Sequence, residues 1–305
     1  MDGRILSLDN EVERMRILRD IFFFTDIHGM YDLYRAIMSY CYEEDPEAMI
    51  IFGGDAIDRG KDGYKIMKEL LDNPQVVYLM GNHEDLFVKA AKEIKEQLQF
   101  RSFDRKEVHD TIYWCRGYDY KYEAIQNSLY NGGLNTLIDW VLDGMPMDII
   151  EKIEALPRTM STELCDFCHS AGVFRTFAEA STAEYYNRKM DEYIADALIW
   201  GRSALMYGWK TGRTAICGHT PTIVLDQFVR LPTQDIGAHR PIKWCNGEDE
   251  QYKGAKIDMD TGACFTGISY VLNVLTMQAQ GFKDIDFENK ENHEHNVEKI
   301  DVIQF

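Results

Sequence analysis

Short apolar runs, each followed by a polar loop, divide the first hundred residues into three similar units. The runs cover 21–24, 49–52 and 76–80, and each is typical of a strand buried on both faces. The segments that follow them carry apolar residues on one face at helical spacing. Three strand–loop–helix units in succession predict a parallel sheet with right-handed crossover connections.

The pattern changes after the third unit. Residues 100–160 are rich in aromatic and polar side chains and have weak helical periodicity, which predicts a mostly helical insertion over the ends of the strands. Beyond it, a helix is predicted over 183–199. Further strands are predicted at 164–167, 214–217, 256–262 and 269–277, the last two in a second sheet.

Length and composition limit the classes of protein that this sequence can encode. With 305 residues and 45% apolar composition, we expect one domain spanning 1–305, with an acidic extension at about 282–305 that ends in an edge strand at 297–305. No run of eighteen apolar residues and no signal pattern is present, and the seven cysteines are scattered, so we expect a cytoplasmic protein with reduced thiols.

The net charge of −18 argues against nucleic-acid binding, because a phosphate backbone would be repelled over most of the surface. It does not argue against a phosphorylated substrate, because divalent metal ions can reverse the charge locally. We therefore expect neither a nucleic-acid nor a membrane partner.

Polar residues capable of binding metal stand at the carboxyl ends of the predicted strands. Carboxylates, imidazoles and an amide oxygen together suit Mn²⁺, Fe or Zn²⁺, and a pair of ions could share Asp55 from the central strand. Two such ions bind phosphate and activate water at neutral pH. The residues are Asp26, His28, Asp55, Asn82, His83, His169 and His219.

Ordered motifs connect these residues to a known family. They are Asp26-x-His28-Gly29, Gly54-Asp55-x-x-Asp58-Arg59-Gly60, Gly81-Asn82-His83-Glu84, His169, Gly218-His219 and Asp260-Thr261-Gly262. Together they resemble the calcineurin-like metallophosphoesterases, and within them the phosphoprotein phosphatases of bacterial and bacteriophage lambda type. The resemblance extends from residue 21 to about 277. It implies a four-layer α/β/β/α metallophosphoesterase sandwich with a mostly helical insertion.

The resemblance also implies a role for each residue around two divalent metal ions, with Mn²⁺ expected and Fe or Zn²⁺ as alternatives. Asp26, His28 and Asp55 would hold the first ion, and Asp55, Asn82, His169 and His219 the second. Arg59 and Arg202 would bind phosphate oxygens, and His83, oriented by Asp58, would protonate the leaving group. The implied reaction is direct attack by a bridging hydroxide on a phosphomonoester, expected to be phosphoserine or phosphothreonine of a protein or a small phosphoester.

Two other functions stay open at this point. A symmetrical diadenosine tetraphosphate hydrolase is a close relative, although Glu84 and the Asn131-Gly132-Gly133 segment favour the protein phosphatase. A catalytically silent phosphate-binding scaffold is the other, and the complete set of ligands argues against it. The sequence departs from the family at Thr25, where glycine is usual, and in the Asp258-Met259 insertion before Asp260.

The segment from Cys165 to His169 also matches the pattern for c-type haem attachment. Haem attachment requires export, for which the sequence carries no signal. In an extended strand, Cys165 and Cys168 would also tend to face opposite sides of the sheet, which disfavours a redox pair. We predict buried thiols.

Overall fold

Two β-sheets form the centre of the computed structural model, which describes residues 19–117, 121–170, 198–202, 214–227, 239–244, 255–289 and 295–305. In chain order the strands are β1 (Ile21–Phe24), β2 (Met49–Phe52), β3 (Val76–Tyr78), β4 (Thr159–Ser161), β5 (Cys165–Cys168), β6 (Thr214–Cys217), β7 (Ile242–Trp244), β8 (Lys256–Asp258), β9 (Ile268–Asn273), β10 (Gln278–Asp284) and β11 (Val297–Gln304). The α-helices are α1 (Tyr31–Glu44), α2 (Gly63–Asp72), α3 (Asn82–Gln97), α4 (Arg105–Trp114), α5 (Glu123–Tyr130), α6 (Leu134–Leu142), α7 (Met147–Glu154) and α8 (Ala263–Thr266).

The three predicted strand–loop–helix units are present, and their strands are parallel neighbours. Strand β2 lies between β1 and β3, with Ile51 paired to Phe23 on one side and to Val77 on the other. Successive side chains of a strand point to opposite faces. Phe22 and Phe24 therefore pack against the helices, whereas Phe23 faces the second sheet. Burial on both faces explains why each strand is a continuous apolar run.

The first sheet has six strands in the order β11-β10-β9-β1-β2-β3. Strand β9 pairs antiparallel with β1, so the prediction that residues 269–277 belong to a second sheet is wrong. Strand β10 continues the sheet and buries Phe282 and Asp284, and β11 forms the edge as predicted. Much of the acidic segment after residue 282 is therefore part of the sheet and is not an exposed extension.

The second sheet has five strands in the order β4-β5-β6-β8-β7, in which β5, β6 and β8 run parallel. It packs against the first sheet through a shared apolar layer. Phe167 of β5 stacks on Phe23 of β1 with 5.5 Å between the ring centroids. The two sheets with helices α1–α3 on the outer face of the first confirm the mixed α/β sandwich. The predicted helix at 183–199 lies mostly outside the described residues.

The insertion is helical, as the sequence predicts, and comprises α4 to α7 with a 3₁₀ turn at Cys115–Gly117. It adds a layer of apolar side chains to the helical side of the first sheet, centred on the fully buried Trp140. Within the ranges that the structure describes, no helix combines the length and the hydropathy needed to cross a membrane.

Candidate metal centre

Loops from both sheets meet where their parallel strands end. Asp26 and His28 follow β1, Asp55 follows β2, and Asn82 and His83 begin α3 just after β3. The second sheet supplies His169 directly after β5 and His219 after β6. All seven of these side chains are buried, and none is more than 9% exposed. The structure therefore brings together the residues that the strand-end pattern identified.

Backbone strain is concentrated at the same residues. Among non-glycine residues with positive φ in the described part of the chain are Asp26 (53°), Asp55 (60°), Asp58 (69°), Arg59 (62°) and His219 (70°). A non-glycine residue in the left-handed region costs on the order of 1 kcal/mol or more, and such residues cluster where function requires a particular geometry. This clustering supports a functional interpretation of the loops.

Backbone hydrogen bonds hold the loops after β1 and β2 together. The Asp26 amide donates to the Gly54 carbonyl and the His28 amide to the Asp55 carbonyl, both at 3.0 Å. Gly54 has φ of +98°, and a Cβ there would come within 2.9 Å of the His169 Nδ1 atom. The glycine thus allows the two sheets to approach each other at the site.

Glu84 fixes the positions of the loops after β2 and β3. Its Oε2 accepts hydrogen bonds from the amides of Asp55 (2.8 Å) and Gly81 (3.0 Å), and its Oε1 accepts from the Ala56 amide (2.9 Å) and the Tyr78 hydroxyl (2.7 Å). Burial, followed by the charge of Asp55, raises the pKa of Glu84 to about 7. This carboxylate is the structural support of Asp55.

One cluster of potential ligands contains Asp55, His28 and His83, with one ligand atom of each within 4.8 Å of the others. His28 Nδ1 donates to the Ile57 carbonyl at 2.8 Å, which leaves the Nε2 lone pair directed into the site. The Nε2 atoms of His28 and His83 lie 3.6 Å and 3.7 Å from Asp55 Oδ2. The guanidinium of Arg59 donates to both Nε2 atoms, at 2.8 and 3.0 Å. The positively charged guanidinium of Arg59 therefore lies against the atoms that would bind an ion.

A second cluster contains Asp55, His169 and His219. His169 Nδ1 donates to the Gly53 carbonyl at 2.8 Å, so its Nε2 faces Asn82 Oδ1 at 3.0 Å and Asp55 Oδ1 at 3.4 Å. Each of the three converging atoms has a lone pair when His169 is neutral. His219 Nδ1 lies 2.8 Å from Asn82 Oδ1, and its buried Nε2 has no hydrogen-bond partner among the described residues.

These contacts fit a bound cation. Converging acceptor atoms repel one another unless a proton or a metal ion lies between them, and a buried ring nitrogen without a partner is costly. Burial disfavours a charged His169, but the carboxylates of Asp55, Asp26 and Glu84 together outweigh it and raise the pKa of His169 to about 10. A proton on His169 thus supplies positive charge at the position where a divalent ion would supply it. Imidazole nitrogens and carboxylate and amide oxygens are suitable ligands for such ions.

Asp26 lies on the side of the site where the two sheets meet. Its carboxylate accepts from Thr25 Oγ1 at 2.7 Å and from the His219 amide at 3.0 Å. Burial raises the pKa of Asp26 to about 6. His83, and not Asp26, completes the three-residue cluster with His28. The assignment of Asp26 to the first ion and of His83 to proton transfer therefore stays a prediction.

His83 also belongs to a chain of hydrogen bonds that leads away from the site. Its Nδ1 donates to Asp58 Oδ2 at 2.8 Å, and both residues are completely buried. Asp58 Oδ1 accepts from the Thr136 hydroxyl at 2.8 Å, and Thr136 Oγ1 accepts from the Asp58 amide at 3.1 Å. Thr136 belongs to α6, so the insertion supports the orientation of His83.

Arg202 lies half-buried beside the second cluster. Its charge acts on His219, and the Trp200 ring packs edge-on against the His219 ring at 6.0 Å. Burial lowers the pKa of Arg202, and the nearby carboxylates of Asp258 and Asp260 oppose that shift. Arg202 is therefore close enough to His219 to act on its charge, and its role in phosphate binding stays a prediction.

Sequence reasoning missed several supporting residues. Thr25, Glu84 and Thr136 were not predicted to contact the site, although each makes hydrogen bonds to one of its carboxylates or loops. Glu84 follows Asn82-His83 directly, and that adjacency was an available signal. Nothing in the local sequence marks Thr136, because it lies 78 positions from Asp58.

Comparison with known proteins identifies the class. Residues 20–159 match the family described as Calcineurin-like phosphoesterase. These residues therefore belong to a calcineurin-like phosphoesterase domain, a class of hydrolase, in agreement with the resemblance drawn from the motifs.

Individual relatives cover part of the chain. A symmetrical bis(5'-nucleosyl)-tetraphosphatase of Buchnera aphidicola subsp. Schizaphis graminum is 26% identical over 32% of this chain and 37% of its own length. Serine/threonine-protein phosphatase 2 of Salmonella typhimurium is 27% identical over 36% of this chain and 43% of its own length. The matches thus span about two-fifths of these relatives. A metallophosphoesterase structure from Sphaerobacter thermophilus covers 83% of both chains at 12% identity and a TM-score of 0.41.

Proposed function

We propose that this protein is a metal-dependent phosphomonoester hydrolase that removes phosphate from phosphorylated serine or threonine of proteins. The observation that carries the proposal is the convergence of His28, His83, His169 and His219 on the Asp55 carboxylate at the ends of strands from two sheets. Two divalent ions bound there would supply the positive charge that binds phosphate and would lower the pKa of water.

The side chains of this chain have distinct tasks in the proposal. Asp26, His28, Asp55, Asn82, His169 and His219 bind the ions. Arg59 and Arg202 bind phosphate oxygens from opposite sides, a task suited to the planar guanidinium. His83 donates a proton to the leaving oxygen, and Asp58 holds its Nδ1 so that Nε2 faces the site.

We propose Mn²⁺ as the metal, because the ligand set combines carboxylate and amide oxygens with imidazole nitrogens and contains no thiolate. Fe and Zn²⁺ suit the same donors. The cysteines of the described residues are free thiols, and all but Cys264 are buried. Reduced thiols are consistent with a cytoplasmic location, which is part of the proposal.

A second candidate function is hydrolysis of symmetrical dinucleoside tetraphosphates. The observation that favours it is the similarity to the Buchnera enzyme, which is comparable in identity to that of the Salmonella phosphatase. The two functions share the phosphoryl-binding centre and differ in the leaving group. Comparing kcat/KM for a phosphoserine peptide and for diadenosine tetraphosphate distinguishes the two functions. A preference for the dinucleotide would overturn the proposed protein phosphatase function.

Replacing His83 tests the proposed chemistry. We expect His83→Asn to lower kcat on a phosphoserine peptide with Mn²⁺ by a factor on the order of 10²–10⁴, the usual contribution of a general acid, because the serine alkoxide leaves poorly without a proton. The metal content of the purified variant should stay at the wild-type level. His109→Asn, at an exposed histidine in α4, is the control and should retain wild-type turnover.

Loss of metal from His83→Asn would show that His83 is a ligand and would overturn its assigned role. If the wild-type protein does not hydrolyse p-nitrophenyl phosphate with Mn²⁺, Fe²⁺ or Zn²⁺, a phosphate-binding scaffold would instead be favoured over any hydrolase.

A further inference from the structure

The Thr25 side chain lies beside a predicted metal ligand. Thr25 directly precedes Asp26 in the loop after β1, and only 2% of its surface is exposed. Glycine is usual at this position in the family that the motifs resemble, and glycine has no side chain that could contact the carboxylate. Whatever the Thr25 hydroxyl contributes to the site therefore comes from a residue that the motifs do not specify.

Two glycines from different sheets hold this side chain in place. A Cβ at Gly53, directly after β2, would come within 2.6 Å of Thr25 Oγ1. A Cβ at Gly218, directly after β6, would come within 2.5 Å of Thr25 Cγ2. Contacts this close leave no room for a side chain at either glycine, so the backbones of both loops pack directly against Thr25. The hydroxyl and methyl groups of Thr25 therefore have little freedom to exchange positions.

The hydroxyl makes its shorter contact with the Asp26 carboxylate. Thr25 Oγ1 donates to Asp26 Oδ2 at 2.7 Å, whereas the Gly54 carbonyl lies 3.3 Å away. A threonine has one hydroxyl proton, and a carboxylate is a stronger acceptor than a carbonyl because it carries a charge. The hydroxyl therefore donates to Asp26, although a backbone carbonyl within reach could also satisfy it.

The same hydrogen bond makes the two oxygens of Asp26 unequal. The backbone amide of His219 lies 3.1 Å from Oδ1 and 3.0 Å from Oδ2, so this donor alone favours neither oxygen. Thr25 donates to Oδ2 and not to Oδ1. In the part of the chain that the structure describes, Oδ2 thus accepts from two donors, whereas Oδ1 shares one amide and retains an unused lone pair. The oxygen with an unused lone pair is the one able to bind a cation.

We propose that Thr25 is a positioning residue for the metal centre: by holding Asp26 Oδ2, it leaves Oδ1 as the oxygen that binds an ion. In this role Thr25 acts through Asp26 and binds neither the ion nor the substrate. Groups that hydrogen-bond to a metal ligand fix its orientation, and their removal typically lowers metal affinity about 10- to 100-fold. The inference rests on the proposed function, in which Asp26 is a ligand of the first ion.

Thr25→Ala and Thr25→Ser test the hydroxyl, because both variants lack the methyl group of Thr25 and they differ from each other only in the hydroxyl. Mn²⁺ is titrated into the metal-free protein, and the free ion is measured by electron paramagnetic resonance, a readout that does not depend on catalysis. Physiological ionic strength screens the binding of cations to the acidic surface. We expect Thr25→Ala to bind one of the two ions about 10- to 100-fold more weakly than the wild type. Thr25→Ser keeps the donor and should stay within about threefold of the wild type.

Tyr270→Phe controls for the loss of a buried hydroxyl elsewhere. Tyr270 donates at 2.6 Å to Asp301, a carboxylate outside the site, and the variant should bind both ions with wild-type affinity. Wild-type affinity in Thr25→Ala would overturn the inference. Equal losses in Thr25→Ala and Thr25→Ser would also overturn it, because the methyl group and not the hydroxyl would then matter. Should urea denaturation show that Thr25→Ala does not fold, Thr25→Val fills the space between the glycines and takes its place with the same expectation.

Asp26→Asn separates this inference from the function on which it rests. If Asp26→Asn binds both ions as tightly as the wild type, Asp26 is not a ligand, and the proposed ligand set fails together with the role of Thr25. If Asp26→Asn weakens the binding of one ion and Thr25→Ala weakens neither, the ligand set stands and only the role of Thr25 is wrong. Weaker binding of the same ion in both variants would support both.

Discussion

Four hydrogen-bond donors face the two oxygens of Glu84. Three of the donors are backbone amides, of Asp55, Ala56 and Gly81, and the fourth is the Tyr78 hydroxyl. The site therefore requires a side chain that can accept at both ends. A carboxylate satisfies this requirement and an amide does not, because the amino group of an amide can only donate.

Glu84→Gln is expected to be destabilising although it is nearly isosteric. Whichever way the amide is turned, its amino group faces at least one backbone amide, which loses its acceptor and is left buried and unsatisfied. At the Oε1 position only the Ala56 bond is lost, because the Tyr78 hydroxyl can rotate to accept from the amino group. We expect the free energy of unfolding to fall by about 1–3 kcal/mol, measured by urea denaturation. Glu96→Gln, at an exposed position on the same helix, is the control and should change stability by less than about 0.5 kcal/mol. An equally small effect of Glu84→Gln would contradict the supporting role of this carboxylate.

Helices of the insertion act on the site through two contacts with the loop after β2. The Arg59 amide donates to the Gly132 carbonyl at 3.0 Å, just before α6 begins. Thr136, in the first turns of α6, both donates to and accepts from Asp58. The sequence predicts that the insertion lies over the ends of the strands. Its helices also hold the residue that orients His83.

Thr136→Val tests this element because it removes a buried hydroxyl and keeps the shape of the side chain. Without that hydroxyl, Asp58 loses two hydrogen bonds and holds the His83 ring less firmly. We expect kcat on a phosphoserine peptide to fall on the order of tenfold, with KM little changed, because positioning of the proton donor is weakened and phosphate binding is not. Thr136→Ser retains the hydroxyl and should recover most of the activity. Equal losses in both variants would indicate that packing, and not the hydrogen bonds, matters at Thr136.

Elements with a local signature were predicted correctly, whereas the long-range pairing of β9 with β1 was not. Strands β1, β2 and β6 match their predicted ranges because continuous apolar runs bounded by polar loops specify them locally. Strand β9 was assigned to the wrong sheet, because its pairing with β1 joins Phe22 to Asn273 across most of the chain. The same reasoning applies to the site. Ligand-type side chains at strand ends could be recognised, whereas Thr136 acts through a contact 78 residues distant in sequence.

The two sheets meet at the candidate metal centre as well as through their apolar layer. Strands β1, β2 and β3 of the first sheet lead to five of the seven clustered side chains, and β5 and β6 of the second lead to His169 and His219. The Asp55 carboxylate lies between the two groups, 3.6 Å from His28 on one side and 3.4 Å from His169 on the other. An ion bound there would connect the sheets and would bind only the folded chain.

Metal binding should therefore raise the melting temperature of the whole protein. A ligand that binds only the folded state, and is present at 100 times its Kd, adds about 2.7 kcal/mol to the free energy of unfolding. This corresponds to a rise in melting temperature of roughly 5 °C or more for a domain of this size. We expect Mn²⁺ to produce such a rise, measured by calorimetry, and excess chelator to reverse it.

The net charge of −18 offers other places for a cation to bind on the surface, so the rise alone does not identify the site. Asp55→Asn removes the shared carboxylate and should abolish the rise, whereas Asp110→Asn, at an exposed aspartate, should retain it. A full Mn²⁺-dependent rise in Asp55→Asn would mean that the ions stabilise the protein from elsewhere on its acidic surface.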